Sequence, residues 1–328
     1  MPDVNWPTLA NWAARLDPDG QIAAIVEIMD QTNEILMDAI FVEGNLPTGH
    51  RTTTRTDIPQ GTWRKLNYGV QNTKSLTQQI TDTIGMLETY AEVDKDLASL
   101  NGNTAAFRLS EDTPHIEGMN QQMATTLFYG DTAAYPERFM GLAPRYDILG
   151  DPTTIGNSYL DHVLDAGGVD DTSNSSMWLV VWGENTCHMI FPKGSQAGLL
   201  VEDLGQQTLF DSAGGKFEGY RSHYQWKTGL SVRDWRYIVR IANIDPSADF
   251  DYTLLIKAYN AIPQIGMGRS VFYCNRAVKT QIDIAASEKS NAALRIIDDE
   301  QWGKPITKFW NTPIRQCDAI LNTEAVIT

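Results

Sequence analysis

Two consecutive runs of strict alternation, together spanning Lys216–Ile244, restrict the fold of this chain more than any other stretch. In the first, Tyr220, Ser222, Tyr224 and Trp226 share one side, while Arg221, His223, Gln225 and Lys227 share the other. In the second, Trp235, Tyr237, Val239 and Ile241 alternate with Asp234, Arg236, Ile238, Arg240 and Ala242. A two-residue period rich in aromatic and β-branched side chains predicts a half-buried antiparallel pair, here a hairpin closed by a short Gly-containing link. At ~3.3 Å per residue each arm runs about 26–30 Å. Such a hairpin fits the sheet of any α+β protein, so it narrows the fold class before it says anything of function.

The 328 residues suffice for one large or two ordinary domains, and 42% hydrophobic content is that of a globular protein. No apolar run approaches the ~18 residues of a membrane-spanning helix, and MPDVNWPTLANWAARLDPDG lacks the basic-then-apolar order of a secretory signal. A soluble chain made in the cytoplasm is therefore expected. Cys187, Cys274 and Cys317 are far apart and form no CxxC, so they read as small buried hydrophobes rather than a disulfide or zinc framework. The net charge is −15, and its distribution is uneven. Residues 1–130 hold 17 acids and 8 bases, 131–215 hold 12 and 3, and 216–245 reverse to 3 and 6. Nucleic-acid binding through the mean field is excluded by that sign. An acidic front half and a basic hairpin instead favour contact between the two, within one copy or between copies.

In chain order, residues 1–18 carry Trp6 and Trp12 among Pro2, Pro7 and Pro18, and read as an extended arm whose tryptophans need a surface. Ile22, Ile25, Val26, Met29, Leu36 and Ile40 then give a helical stripe over 21–40. His50–Ile80 is Thr-rich, β-prone, turned at Pro59-Gln60-Gly61 and poor in large aliphatics. Such a segment buries too little apolar surface to offset its own ordering. It must lean on something else, either as a projecting hairpin docked on a neighbouring molecule or as a substrate lid. Trp63, Arg64, Lys65 and Tyr68 are the residue types that dominate interfaces.

Apolar spacing predicts a helix over Thr83–Leu100 and a second beginning at the Asp112-Thr113 cap with Pro114 in its first turn, ended by Gly130. Irregular apolar chain follows through Phe139, Met140, Leu142 and Tyr146, where a boundary between subdomains is placed. MWLVVW (177–182) and CHMIF (187–191) predict a buried hairpin. Helices are expected at Ala248–Ala261 and Gln281–Asn291, a short strand at Val271–Tyr273, and strands over the last forty residues.

Motifs for chemistry are absent. The five histidines fall in no paired ligand spacing, no Walker, GxSxG or Rossmann pattern occurs, and Gly266-Met267-Gly268 reads as a turn. Adjacent carboxylates such as Asp170-Asp171, Glu202-Asp203 and Asp298-Asp299-Glu300 point apart or into solvent. No catalytic, cofactor or metal site is assigned.

The order of these parts nevertheless resembles a known family, the major capsid proteins of tailed bacteriophages with the HK97-like fold, of the short-tailed phage type. The resemblance is carried by GTWRKLNYGVQ at 61–71, PERFMGLAPRY at 136–146, WLVVWGENTCHMIFPKG at 178–194, GYRSHYQWKTGLSVRDWRYIVRIANI at 219–244 and NTPIRQCDAIL at 311–321. It implies an α+β fold with an amino-terminal arm and first helix (1–49) and an extended loop (50–82). The peripheral domain, a long helix over a long-stranded antiparallel sheet, would be 83–146 with 216–245, and the axial domain 147–215 with 246–328.

It further implies a structural protein without cofactors, whose hexamers and pentamers build an icosahedral shell around double-stranded DNA held without sequence specificity. Separate scaffolding and portal proteins are expected, decoration proteins are left open, no membrane is involved, and assembly takes place in the host cytoplasm. Some relatives join subunits covalently through a loop lysine. Lys65 and Lys74 lie in the corresponding loop, but no matching asparagine or acid is found, so that chemistry is not carried over. Inter-subunit contacts are expected from Trp6, Trp12, Trp63, Arg64, Lys65, Tyr68, Arg233 and Arg236. The rival readings are a nanocompartment shell of the same fold and a soluble α+β enzyme with residues 50–80 as a lid.

Overall fold

The computed structural model describes residues 7, 31–100, 102–150, 159–169, 172–287, 294–298 and 305–328. The expected arm with Trp6 and Trp12, and residues 21–30 of the expected 21–40 helix, lie outside the described residues; within 31–40 the helix is not formed beyond the single turn α1 (Ile35–Asp38). From there the order is β1 (Phe41–Glu43), β2 (Gly49–Asp57), β3 (Leu76–Thr83), β4 (Gly85–Asp94), α2 (Lys95–Ser99), α3 (Thr104–Tyr129), β5 (Val163–Asp165), β6 (Ser175–Trp182), β7 (Cys187–Phe191), β8 (Leu199–Phe210), β9 (Lys216–Val232) and β10 (Ile238–Ile244). It closes with α4 (Thr253–Ala261), β11 (Arg269–Cys274), α5 (Arg276–Ser287), β12 (Leu294–Asp298), β13 (Pro305–Phe309) and β14 (Thr312–Gln316).

Among the described residues, twelve strands join in one sheet whose main path is β12-β13-β14-β11-β6-β7-β9-β4, and β2 and β3 stand apart as a two-stranded sheet. The apolar run of β6 is explained by burial on both faces. Trp178, Val180 and Trp182 enter a core closed by Met123, Leu127 and Phe128 of α3, while Met177, Leu179 and Val181 enter a second core under α4 and α5. All three cysteines are free and buried, and burial pushes the thiols of Cys187 and Cys317 up to about 12.

The long alternating stretch forms strands as expected, but not a hairpin. β9 runs unbroken through Gly229 and pairs antiparallel with β4, β8 and β7, whereas β10 pairs with β6 and β5. A single 3₁₀ turn, Trp235–Tyr237, separates them, and the backbone N–H groups of Arg233 and Asp234 both donate to the Thr186 carbonyl. That anchor turns the chain away from its own strand. MWLVVW and CHMIF likewise form no hairpin: Thr186 closes a tight turn onto the Val181 carbonyl, but β6 and β7 share one pair, Trp182 with Cys187, before diverging.

The expected helix over Thr83–Leu100 is instead β4 followed by the short α2, which Asp94 caps. Period two prevails because β4 pairs with β9 from Gly85 to Asp94, with Ala91 and Val93 buried and Met86 and Tyr90 outward. α3 begins earlier than expected, at an Asn103 cap, and carries Pro114 in its interior on the exposed side. There Pro114 gives no N–H to the helix, and the Thr113 hydroxyl donates to the Leu109 carbonyl. α3 lies across β4 and β9, its Met119 meeting Ala91 and Tyr224. α4 starts at Thr253, whose N–H donates to the Asp251 side chain, rather than at Ala248, and α5 starts at Arg276, ahead of the expected Gln281.

Candidate assembly interface

β2 and β3 form a hairpin that stands off the body. Their register runs from Gly49 opposite Thr83 to Asp57 opposite Leu76. Beyond the strands, residues 58–75 form no regular element apart from a turn in which the Tyr68 N–H donates to the Lys65 carbonyl. Every residue from Arg55 to Thr81 is exposed. Trp63 is 101% exposed, Leu66 85%, Ile58 73% and Tyr68 69%. Exposed apolar patches of more than a few hundred Å² are uncommon on monomeric proteins. Of the residues expected at contacts, the tip gathers Trp63, Arg64, Lys65 and Tyr68.

The base of the hairpin is clasped to the body. Ile84 N–H donates to the Thr48 carbonyl, and Asn45 bonds both the N–H and the carbonyl of Arg51. Asp82, buried on β3, accepts from Arg145 at 2.8 Å and from the Ser231 hydroxyl at 2.9 Å. β3 passes so close over β9 that a Cβ on Gly229 would stand 2.4 Å from the Thr83 carbonyl oxygen. Beside the clasp, the rings of His50 and buried His188 meet edge to face at 5.7 Å. Burial holds His188 down at about 4, helped by His50, and holds His50 below its ordinary value, helped by Arg233.

Between hairpin and body lies a groove of ≈ 860 Å³. Arg55, Ile58 and Ile80 of the hairpin face Arg233, Trp235 and Arg236 of the body across it. Arg236 is held by both oxygens of Asp234, at 2.9 and 2.7 Å, whereas Arg233 among the described residues reaches the Glu184 carbonyl and the Asn185 side chain. Two of the outward bases of β9 are matched within the chain: Arg221 pairs with Glu92, and His223 lies 3.6 Å from Glu88 and stacks on Tyr90. The acidic and basic segments therefore meet inside one copy along β4 and β9, and among the described residues Arg55 and Arg233 face the groove without an acidic partner.

Sequence reasoning passed over Asp82, Arg145, Ser231 and His188, which come from four separate segments and share no spacing. It also passed over Leu199–Phe210, where Glu202-Asp203 belongs to an edge strand. Among the described residues no group of His, Cys, Asp and Glu is placed to hold a metal ion.

Comparison with known proteins shows the family of the chain. The family described as major capsid protein GP7 matches residues 17–328. A chain in the near-atomic structure of bacteriophage epsilon15 is 35% identical, with a TM-score of 0.77, over 100% of this chain and 99% of that one. The bacteriophage JBD30 capsid is 8% identical at a TM-score of 0.49, covering 89% and 93% of the two chains. The SrpI encapsulin of Synechococcus elongatus PCC 7942 is 10% identical at 0.46, covering 71% and 95%. Comparison with curated proteins returns no match.

Proposed function

Because the chain belongs to the GP7 family of phage major capsid proteins, we propose that its projecting hairpin is the element that holds each subunit to the next in the shell. The chain is a structural subunit with the HK97-like α+β fold, and the family is not one of enzymes. The observation carrying the hairpin assignment is the uninterrupted exposure from Arg55 to Thr81 around an apolar tip. Such a tip has no stabilising surface in its own copy and gains one by covering another. Trp63 and Tyr68 act as anchors with Arg64 and Lys65 at the rim, and Arg233 and Arg236 meet an acidic neighbour.

On the same reading, residues 50–82 form the extended loop, 83–146 with 216–245 the peripheral domain, and 147–215 with 246–328 the axial domain. The arm 1–49, with Trp6 and Trp12, adds a second contact. Hexamers and pentamers enclose double-stranded DNA, scaffolding and portal functions fall to separate chains, and assembly occurs in the host cytoplasm. Electron cryomicroscopy of purified shells tests this: residues 58–75 should lie against another copy. A tip folded back on its own subunit overturns the assignment.

A further inference from the structure

The groove beneath the hairpin and the free edge of β8 are complementary in chemistry. Two guanidinium groups in the groove lack an acidic partner among the described residues, because Arg55 makes no ion pair there and Arg233 bonds only neutral acceptors. Its apolar walls include Ile58, 73% exposed, and Ile80, 36% exposed. An apolar and acidic segment is what such a surface binds.

β8 supplies one. It pairs with β9 alone, so among the described residues its outer edge has no strand partner. A bulge between Asp203 and Gly205, with Gly205 at φ +68°, ends the flat part of that edge. What remains is Leu199–Asp203, with Leu200, Val201 and Glu202 exposed. Asp203 is bound by Arg108, whereas Glu202 makes no ion pair among the described residues. Open edges are normally blunted or covered, and this one carries its only unmatched carboxylate beside two aliphatic residues.

A subunit cannot fill its own groove in this way. Glu202 is held opposite His223 on β9, and Arg233 follows the far end of that strand, about 30 Å away at ~3.3 Å per residue. We infer that the acidic edge Leu199–Asp203 of one copy seats in the arginine-lined groove beneath the hairpin of a second copy, with Glu202 against Arg55 and Arg233. The contact joins two different patches of the same chain, so it is heterologous and closes rings rather than two-fold pairs. It deepens, and rests on, the shell-subunit reading.

A charge swap tests it. Glu202→Arg and Arg233→Glu should each lower the yield of shells by about tenfold or more, scored by size exclusion and negative-stain imaging. Both variants should keep the circular-dichroism melting curve of the unassembled parent subunit. Glu202→Arg combined with Arg233→Glu should restore assembly. Single variants that assemble at the parent yield, or a double variant no better than the worse single, overturn the inference and leave the shell reading standing. A parent chain that forms no shell even when co-produced with its separate scaffolding chain overturns that reading and the inference with it.

Discussion

Arg240 and Glu324 meet 2.8 Å apart with side chains only 5% and 7% exposed, and through this pair the carboxy-terminal segment is fastened into the middle of the molecule. Arg240 also donates to the Tyr146 carbonyl at 2.8 Å and lies over the Trp178 ring. Glu324 accepts in addition from the hydroxyls of Tyr129 and Ser176. Long helix, central strands and tail thus share one polar network inside the apolar core.

Removing one partner leaves the other charge buried and unpaired. Glu324→Ala should lower unfolding free energy by about 3–5 kcal/mol in urea titration. Arg240→Met with Glu324→Leu should cost less than the two single losses combined. A loss under ~1 kcal/mol for Glu324→Ala would mean that solvent reaches Arg240.

Asp82 sets the anchoring of the hairpin through Arg145 and Ser231. Asp82→Ala should lower the local opening free energy of 49–57 and 76–83 by about 2 kcal/mol or more, read as faster amide exchange. Exchange in β6 and β11 should stay unchanged. Equal acceleration everywhere would make Asp82 a global rather than a local fastening.

Acid should weaken the same region. His188 is held at about 4, chiefly by burial and then by His50, against a backbone hydrogen bond to Gly183 that raises its affinity for a proton, while Arg233 lowers and Asp82 raises it more weakly. A histidine whose folded value is depressed favours folding fully above its ordinary ~6.5, and that contribution falls away as pH drops towards 4. The loss across this window is about 2–3 kcal/mol for His188. Urea midpoints at pH 7, 5.5 and 4 should show it, and His188→Phe should flatten the profile. A variant with the parent pH dependence would assign the effect elsewhere.

Gly229→Ala forces a methyl to within 2.4 Å of the Thr83 backbone oxygen, which has no flexible end to move. A loss of about 1–3 kcal/mol is expected, measured by urea unfolding. Gly61→Ala, where a Cβ meets nothing within 4 Å, serves as control and should be close to neutral.

What the sequence disclosed and what it concealed follow one physical division. The exposure of 55–81 was legible because Thr-rich chain with few aliphatics cannot bury itself whatever surrounds it. β6 was legible as buried for the converse reason. Strand partners were not: β9 pairs with β4, β8 and β7 through contacts far apart in sequence, and nothing in its alternation names them. β4 was misread because Ile84, Leu87, Tyr90 and Val93 satisfy helical spacing while Leu87, Ala91 and Val93 satisfy period two. Pairing with β9 decides between them. Pro114 misled in the same way, since an exposed proline is tolerated within α3 and Asn103, not Asp112, provides the cap. Within the site, the tip residues were visible as neighbours in sequence, but the clasp of Asp82, Arg145 and Ser231 exists only in the folded chain.

The claim that the hairpin carries assembly is tested most directly by replacing residues 58–75 with an Asn-Gly turn and measuring particle size by sedimentation velocity. The prediction is a folded subunit with the melting curve of the unassembled parent subunit that sediments as small species and forms no shells. Shells at the parent yield would contradict it.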